Sequence, residues 1–364
     1  MKTTLRSLIL TGGLLVASLT TTAASAGYLS LYAFGDSLSD SGNMYNAVLA
    51  LSGGSIEVPP PPYYQGRASN GPVAVEYLAA RLGLTAKPVV NSSGDIDPTG
   101  TNFAVLGSST GPITQADGTE YRNYMTFRYS PLLPNVGIDD QIGAFASLYG
   151  AANPQALYFL WGGANDAYLA LEDPGIDQND ATQMNTIAGA TALQAANNLG
   201  NQILFLASLG ARDFLVPNLP DLGQTPDAVL GSLAGVYGSA YAPALTLYTE
   251  TFNTALASLL GTLDADPFLR IIDFDVFGLY RAYAESGLYD TAQPCISAPA
   301  CDPETYLYWD GVHPTTYFHA RLGDMMAQSV PAPATLALLL PGMLLMAMTR
   351  ARAARSWGRR ARRT

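Results

Sequence analysis

Short apolar runs alternate with longer helix-compatible stretches along this chain, and that alternation constrains the fold more than any other feature. Residues 28–34 read as a first strand running into a Ser/Asp/Gly turn, and 102–106 as a short second one. Ala156–Trp161 is apolar throughout, the mark of a strand buried on both faces. Residues 203–207 and Arg270–Phe274 complete the strand set. Between them, 73–82, 181–199, 244–260 and 317–328 have helical patterning. Strands separated by helices imply βαβ units and a mostly parallel sheet covered on both sides. No internal repeat and no linker divides the body, so it reads as one α/β domain. Two stretches break the rhythm. Residues 111–135 carry Tyr121, Tyr124, Phe127 and Tyr129, which suit either an aromatic wall for an acyl chain or a surface loop. Residues 285–308 contain the two cysteines of the chain, Cys295 and Cys301.

Both ends read as addresses rather than fold. Residues 1–26 place Lys2 and Arg6 ahead of an apolar stretch and the small residues Ala24, Ser25 and Ala26, the layout of a secretory signal peptide. Residues 330–364 run from a Val-Pro-Ala-Pro-Ala start through an almost wholly apolar segment into seven arginines. With its leading residues that segment is just long enough to span a membrane, which takes about 20 residues. The arginines would then stay cytoplasmic. The body between, 27–334, carries nine basic against 29 acidic residues, a balance of −20. Such a body repels nucleic acid and anionic membrane surfaces. In an exported protein the two cysteines are expected to form a local bridge, and two Cys with two His do not make a metal set. No cofactor is expected.

The chemistry collects at strand ends, where parallel α/β folds place their ligands. Gly35-Asp36-Ser37-Leu38-Ser39-Asp40 follows the first strand, Gly107-Ser108-Ser109 the second, and Gly162-Gly163-Ala164-Asn165-Asp166 the third. A fourth segment, Trp309-Asp310-Gly311-Val312-His313-Pro314, precedes the last helix. For Ser37 to act as a nucleophile, a base must take its proton near neutral pH, and histidine is the default. The chain has two histidines. His319 lies inside an amphipathic helical run and reads as a helix-face residue. His313 lies in a loop three residues after Asp310, a spacing that lets the carboxylate orient the ring. The Ser37 N–H, the Gly107 N–H and the Asn165 amide are the candidate oxyanion donors.

Gly-Asp-Ser-Leu near the start of the body, Asn-Phe-Ala ahead of a glycine, Gly-x-Asn-Asp and a late Asp-x-x-His-Pro together resemble the GDSL (SGNH) hydrolase family. The run Tyr63-Tyr64-Gln65-Gly66-Arg67-Ala68-Ser69-Asn70-Gly71-Pro72 is similar to its lipase/lecithinase-like branch. The resemblance spans roughly residues 28–328. It implies a flavodoxin-like three-layer α/β/α sandwich with a five-stranded, mostly parallel sheet, Ser37, Asp310 and His313 as catalytic triad, and Ser37, Gly107 and Asn165 as oxyanion hole. Leu106 stands where many members carry a second glycine. No Gly-x-Ser-x-Gly elbow surrounds Ser37, which disfavours the α/β-hydrolase fold. The C-terminal segment resembles the PEP-CTERM sorting signal, with Ala332 in place of that signal's usual Glu. It implies transient anchoring in the inner membrane and processing by an exosortase-like partner. The expected domains are therefore a signal peptide (1–26), a hydrolase domain (27–329) and a sorting segment (330–364), in a protein exported to the periplasm, cell surface or matrix. The expected activity is cleavage of carboxylic esters (lipid, phospholipid or short acyl) through an acyl-serine. The alternatives are a deacetylase of extracellular polysaccharide and a non-catalytic surface or matrix binding protein on the same fold.

Overall fold

The central sheet has four parallel strands in the order β1 (Ser30–Gly35), β4 (Ala156–Trp161), β5 (Asp213–Pro217) and β6 (Arg270–Phe274). This is a computed structural model, and it describes residues 27–331; the expected signal peptide and nearly all of the expected sorting segment lie outside the described residues. Side chains alternate across the sheet with period two. Tyr32, Phe34, Tyr158, Leu160, Phe214 and Val216 face one core with the helices α4 (Ile138–Tyr149), α5 (Ala164–Leu171), α6 (Ala181–Leu209) and α8 (Tyr241–Asp264). Leu31, Ala33, Leu157, Phe159, Trp161 and Leu215 face the other, under α2 (Ala74–Arg81), α9 (Val276–Ser286) and α10 (Thr316–Ser329). The result is a three-layer α/β/α sandwich, as expected. Among the described residues no helix is long and apolar enough to cross a membrane.

Two strand expectations need correction. Residues 102–106 do not form a regular strand, so the sheet has four strands rather than five. The segment still runs along β1 as an irregular edge: Ala33 N–H donates to Thr101 O (3.0 Å), Phe103 N–H to Ala33 O (2.8 Å) and Val105 N–H to Gly35 O (3.1 Å). The Asn102 amide spends itself on Ser39 O (2.7 Å) and Ser41 Oγ (2.9 Å), so this edge serves the turn rather than a ladder. Residues 203–207 are not a strand at all. They belong to α6, which runs unbroken to its cap at Gly210 (φ 120°). Ile203 and Leu206 are buried while Leu204 and Phe205 are half exposed, a helical period hidden inside an apolar run. The third parallel strand is instead Asp213–Pro217, every residue of it buried.

The long 111–135 stretch folds into a hairpin, β2 (Ser108–Thr114) and β3 (Glu120–Asn123), followed by the short α3 (Tyr124–Arg128). Cys295 and Cys301 are joined by a disulfide, their Cα atoms 5.3 Å apart. The loop so closed is docked on the segment that leads to Asp310: Cys295 N–H donates to Tyr308 O (3.0 Å) and Ile296 N–H to Trp309 O (2.8 Å).

Candidate active site

Ser37 sits in the turn that leaves β1. The last residue of the strand, Gly35, has to be glycine, because a Cβ there would run into the Trp161 carbonyl on the neighbouring strand. Gln141 of α4 holds this point from the side, accepting from Gly35 N–H (2.9 Å) and donating to its carbonyl (2.8 Å). Within the turn the Asp36 carboxylate accepts from Leu38 N–H (3.0 Å), and the Asp36 carbonyl from Ser39 and Asp40 N–H. Burial pushes the Asp36 carboxyl up to about 6, against the hydrogen bonds it accepts and the nearby His313. The fully buried Asp40 accepts from Gly42 (2.7 Å), Asn43 (2.6 Å) and Met44 (3.1 Å) N–H, which anchors a carboxylate at the start of α1 (Asn43–Leu51). Its second oxygen also takes Leu106 N–H (2.8 Å), fixing the backbone just ahead of Gly107.

The late loop meets this turn from the opposite side of the sheet. His313 Nε2 lies 2.8 Å from Ser37 Oγ, and His313 Nδ1 lies 2.7 Å from Asp310 Oδ2. Asp310 Oδ1 accepts the N–H groups of Val312 (2.9 Å) and His313 (2.7 Å), which is why the three-residue spacing works. Burial alone would raise the Asp310 carboxyl, but the charge and hydrogen bond of His313 hold it below the usual carboxylate range. Burial likewise pulls the His313 ring down, yet the charge and hydrogen bond of Asp310, with Asp36 behind, carry it above its ordinary value. An ionised Asp310 leaves Nδ1 as the protonated nitrogen and Nε2 as an acceptor facing the serine hydroxyl.

The three donors named from sequence converge beside Ser37. Among the described residues neither the Ser37 N–H nor the Gly107 N–H has a hydrogen-bond partner. Gly107 adopts φ +86°, and a Cβ there would press against Asn123 Oδ1 at 2.7 Å, so the position accepts glycine alone without strain. The Asn165 amide, at the start of α5, donates to Ser108 O (3.1 Å) and more loosely to Asp36 Oδ2 (3.3 Å). Asp166 beside it is fully buried, accepts from Thr110 N–H (2.9 Å) and Oγ1 (2.6 Å), and is pushed up to about 7 by burial. It ties the end of β4 to β2.

Asp36, Ser37, Gly107, Asn165, Asp310 and His313 all line one cavity of about 690 Å³. One wall is apolar, with Val58, Ala68, Leu106, Met125 and Leu133, and belongs to a small separate cluster with Met44 and Val48. Leu106 therefore lines the cavity beside Gly107. The other wall is polar and aromatic: Tyr124, Arg128, Tyr129, Glu172, Asp227 and Tyr237. There Glu172 accepts from Tyr241 (2.7 Å) and Tyr124 (2.8 Å) hydroxyls, and Asp227 from Tyr237 (3.0 Å). The 111–135 aromatics thus divide. Tyr124 and Tyr129 line the cavity, while Tyr121 and Phe127 pack on Ile113, Leu169 and Ala170. Among the described residues no group of three His, Cys, Asp or Glu is arranged to hold a metal ion.

His319 stays out of this site. It is fully buried in α10, its Nδ1 accepting Ala74 N–H (3.1 Å) at the start of α2, and burial drives its pKa down to about 3. Sequence reasoning missed three supports: Gln141, Asp40 and Tyr63, whose hydroxyl donates to Asp310 Oδ2 (2.7 Å). A signal existed for Asp40, inside the quoted turn, and for Tyr63, inside the 63–72 run. Gln141 offers none.

A parallel sandwich with a serine, histidine and carboxylate in hydrogen-bond sequence at its carboxyl edge is the architecture of a carboxylic ester hydrolase. Residues 31–326 match the model of the GDSL-like Lipase/Acylhydrolase family, and the chain belongs to that family. An uncharacterized protein in the trpE-trpG intergenic region of Pseudomonas putida is 28% identical over 87% of this chain and 51% of its own length. The phosphatidylcholine-sterol acyltransferase of Aeromonas hydrophila is 26% identical over 81% of this chain and 88% of its own. Esterase EstA of Pseudomonas aeruginosa is 28% identical over 89% of this chain and 50% of its own. The chain thus spans about half the length of the first and last of these relatives.

Proposed function

We propose that this chain is an exported hydrolase that cleaves carboxylic esters of apolar acyl chains through an acyl-Ser37 intermediate. The observation that carries the reading is the Asp310–His313–Ser37 relay, at 2.7 and 2.8 Å, opening into a cavity with an apolar wall. His313 Nε2 takes the Ser37 proton as Oγ attacks the carbonyl carbon, and Asp310 stabilises the imidazolium. The carbonyl oxygen becomes negative between the Ser37 and Gly107 N–H groups. Asn165 exchanges its looser bond to Asp36 for the oxyanion. His313 then protonates the departing alcohol, and water repeats the sequence to release the acid. The acyl chain lies along Val58, Leu106, Met125 and Leu133, a wall far longer than an acetyl group needs. That length favours acyl-chain esters over the polysaccharide deacetylase reading.

Export is supported by the layout of residues 1–26 and by the Cys295–Cys301 bridge, since disulfides persist in oxidising compartments. Tethering by 330–364 and its removal by an exosortase-like enzyme belong to the same reading and rest on sequence alone. The test of the activity is a fluorophosphonate probe together with p-nitrophenyl esters of increasing chain length. Parent protein should be labelled and should prefer chains longer than acetyl. Equal labelling of Ser37→Ala would sink the nucleophile assignment, and a preference for acetyl esters would return the deacetylase reading.

A further inference from the structure

The 63–72 run is a motif that the reaction as written leaves without a role. Tyr63 and residues 69–72 of this run all meet the segment from Asp310 to Thr316, although about 240 residues separate the two in sequence. Tyr63 Oη donates to Asp310 Oδ2 at 2.7 Å, the same oxygen that faces His313 Nδ1 at 2.7 Å. Ser69 Oγ donates to Pro314 O (2.9 Å), directly after the histidine. Asn70 Oδ1 accepts Thr316 N–H (2.8 Å), and a Cβ on Gly71 would collide with the Thr316 side chain. Arg67 and the partly buried Glu76 brace the run from behind, 2.7 Å apart. The Tyr63 ring also meets Trp309, the residue before Asp310, edge to face at 6.4 Å.

Resting on the reading of Ser37 as nucleophile and His313 as base, we propose that residues 63–72 form a clamp on the acid–base pair, and that Tyr63 is a positioning residue that sets the basicity of His313 through Asp310. Four donors surround the Asp310 carboxylate: the N–H groups of Val312 and His313 on one oxygen, and the His313 ring and Tyr63 on the other. An ionised carboxylate only accepts, and burial together with the Asp310 charge keeps the phenol protonated, so the direction of the bond is fixed. The bond does two things. It stops the carboxylate from rotating away from Nδ1. It also draws off part of the negative charge that would otherwise hold the proton on His313 more tightly, leaving the ring a base at lower pH than Asp310 alone would allow.

The test is Tyr63→Phe in the full chain, which keeps the ring and removes the donor. Esterase activity on p-nitrophenyl butyrate is followed from about pH 5 to 9, across the histidine range. The expected result is a loss of kcat of about tenfold with little change in KM, as for a residue acting through the base. The acid limb of kcat/KM should move to higher pH by roughly half a unit, since an unshared Asp310 charge raises His313. Asn70→Ala, which loosens the clamp without touching the carboxylate, should lower kcat and Tm and leave that midpoint in place. Tyr45→Phe, outside the clamp and with its hydroxyl on Glu57 at the surface, should change neither. Replacing Tyr63 by 2,3-difluorotyrosine, a stronger donor, should move the midpoint the opposite way, so the idea stays testable if the phenylalanine variant folds poorly. An unshifted midpoint in both Tyr63 variants, or a loss confined to KM, overturns the proposal. Full activity in Ser37→Ala would instead overturn the reading beneath it.

Discussion

His313 and His319 lie six residues apart, the first partly buried where it lines the cavity and the second fully buried, and the fold drives their titrations in opposite directions. His313 has an ionised carboxylate 2.7 Å from one ring nitrogen and a hydroxyl 2.8 Å from the other, so burial loses to charge and the ring titrates above its ordinary range. His319 has a backbone N–H on Nδ1 and a sealed Nε2 without a partner among the described residues. Nothing offsets its desolvation, and it stays neutral. Burial by itself therefore says little about whether an imidazole is a base or a wedge; the second partner decides.

The comparison breaks most decisively on removal of each ring. His313→Gln should lower kcat/KM by about 10⁴-fold or more while leaving thermal unfolding near that of the parent, because a triad residue contributes to the transition state rather than to the core. Should activity survive that change, the assignment of the base fails. His319→Leu should do the reverse. Specific activity per folded molecule is retained, and denaturant unfolding shows a loss of about 1–3 kcal/mol from the orphaned Ala74 N–H at the start of α2.

The second contrast is in pH. With His313 as the proposed base, catalysis needs its neutral ring, whose folded pKa is raised, so kcat/KM should fall as pH drops through a midpoint above the ordinary value of about 6.5. A flat profile between about pH 5 and 8 on a substrate whose acylation limits the rate would count against it. His319 gives the smaller effect, read in stability. Its folded pKa lies far below the unfolded one, so the unfolded chain binds the proton first. Its contribution is present above about 6.5 and is lost as pH falls toward about 3. The gap in unfolding free energy between parent and His319→Asn, which keeps an acceptor for Ala74, should therefore shrink below about pH 6. Asp36 and Asp166, both raised by burial, push the other way but are common to the two proteins and cancel in the difference. A gap independent of pH would mean that His319 takes up its proton as readily in the fold as in the unfolded chain, against a depressed titration.

Much of the molecule was written locally. The apolar block at 156–161, the glycine-ended turn after β1 and the Asp-x-x-His spacing each act over a few residues, and the structure has them in place. The Asp310 to His313 link is local in the strict sense, since the carboxylate bonds the backbone of its own turn before it meets the ring. Residues 203–207 misled because an apolar run of five carries both periods at once. The chain resolved the ambiguity through the absence of any stop signal before Gly210, and through a sheet position already claimed by 213–217. The irregular edge at 102–106 misled for a different reason: its asparagine is a good turn residue and was needed by the turn beside it.

The sequence by itself determined which residues were fit for the chemistry and in what order they occur, because nucleophile, base, small turn residues and strand blocks are properties of composition and short spacing. Only the tertiary structure gave His319 the backbone N–H of Ala74 and carried His313 to Ser37 across 276 residues. It alone brought Tyr63 to Asp310 across 247 residues and set Gln141 against Gly35 across 106. Those bonds join elements whose neighbourhood exists only once the sheet is assembled, so no period or spacing along the chain encodes them.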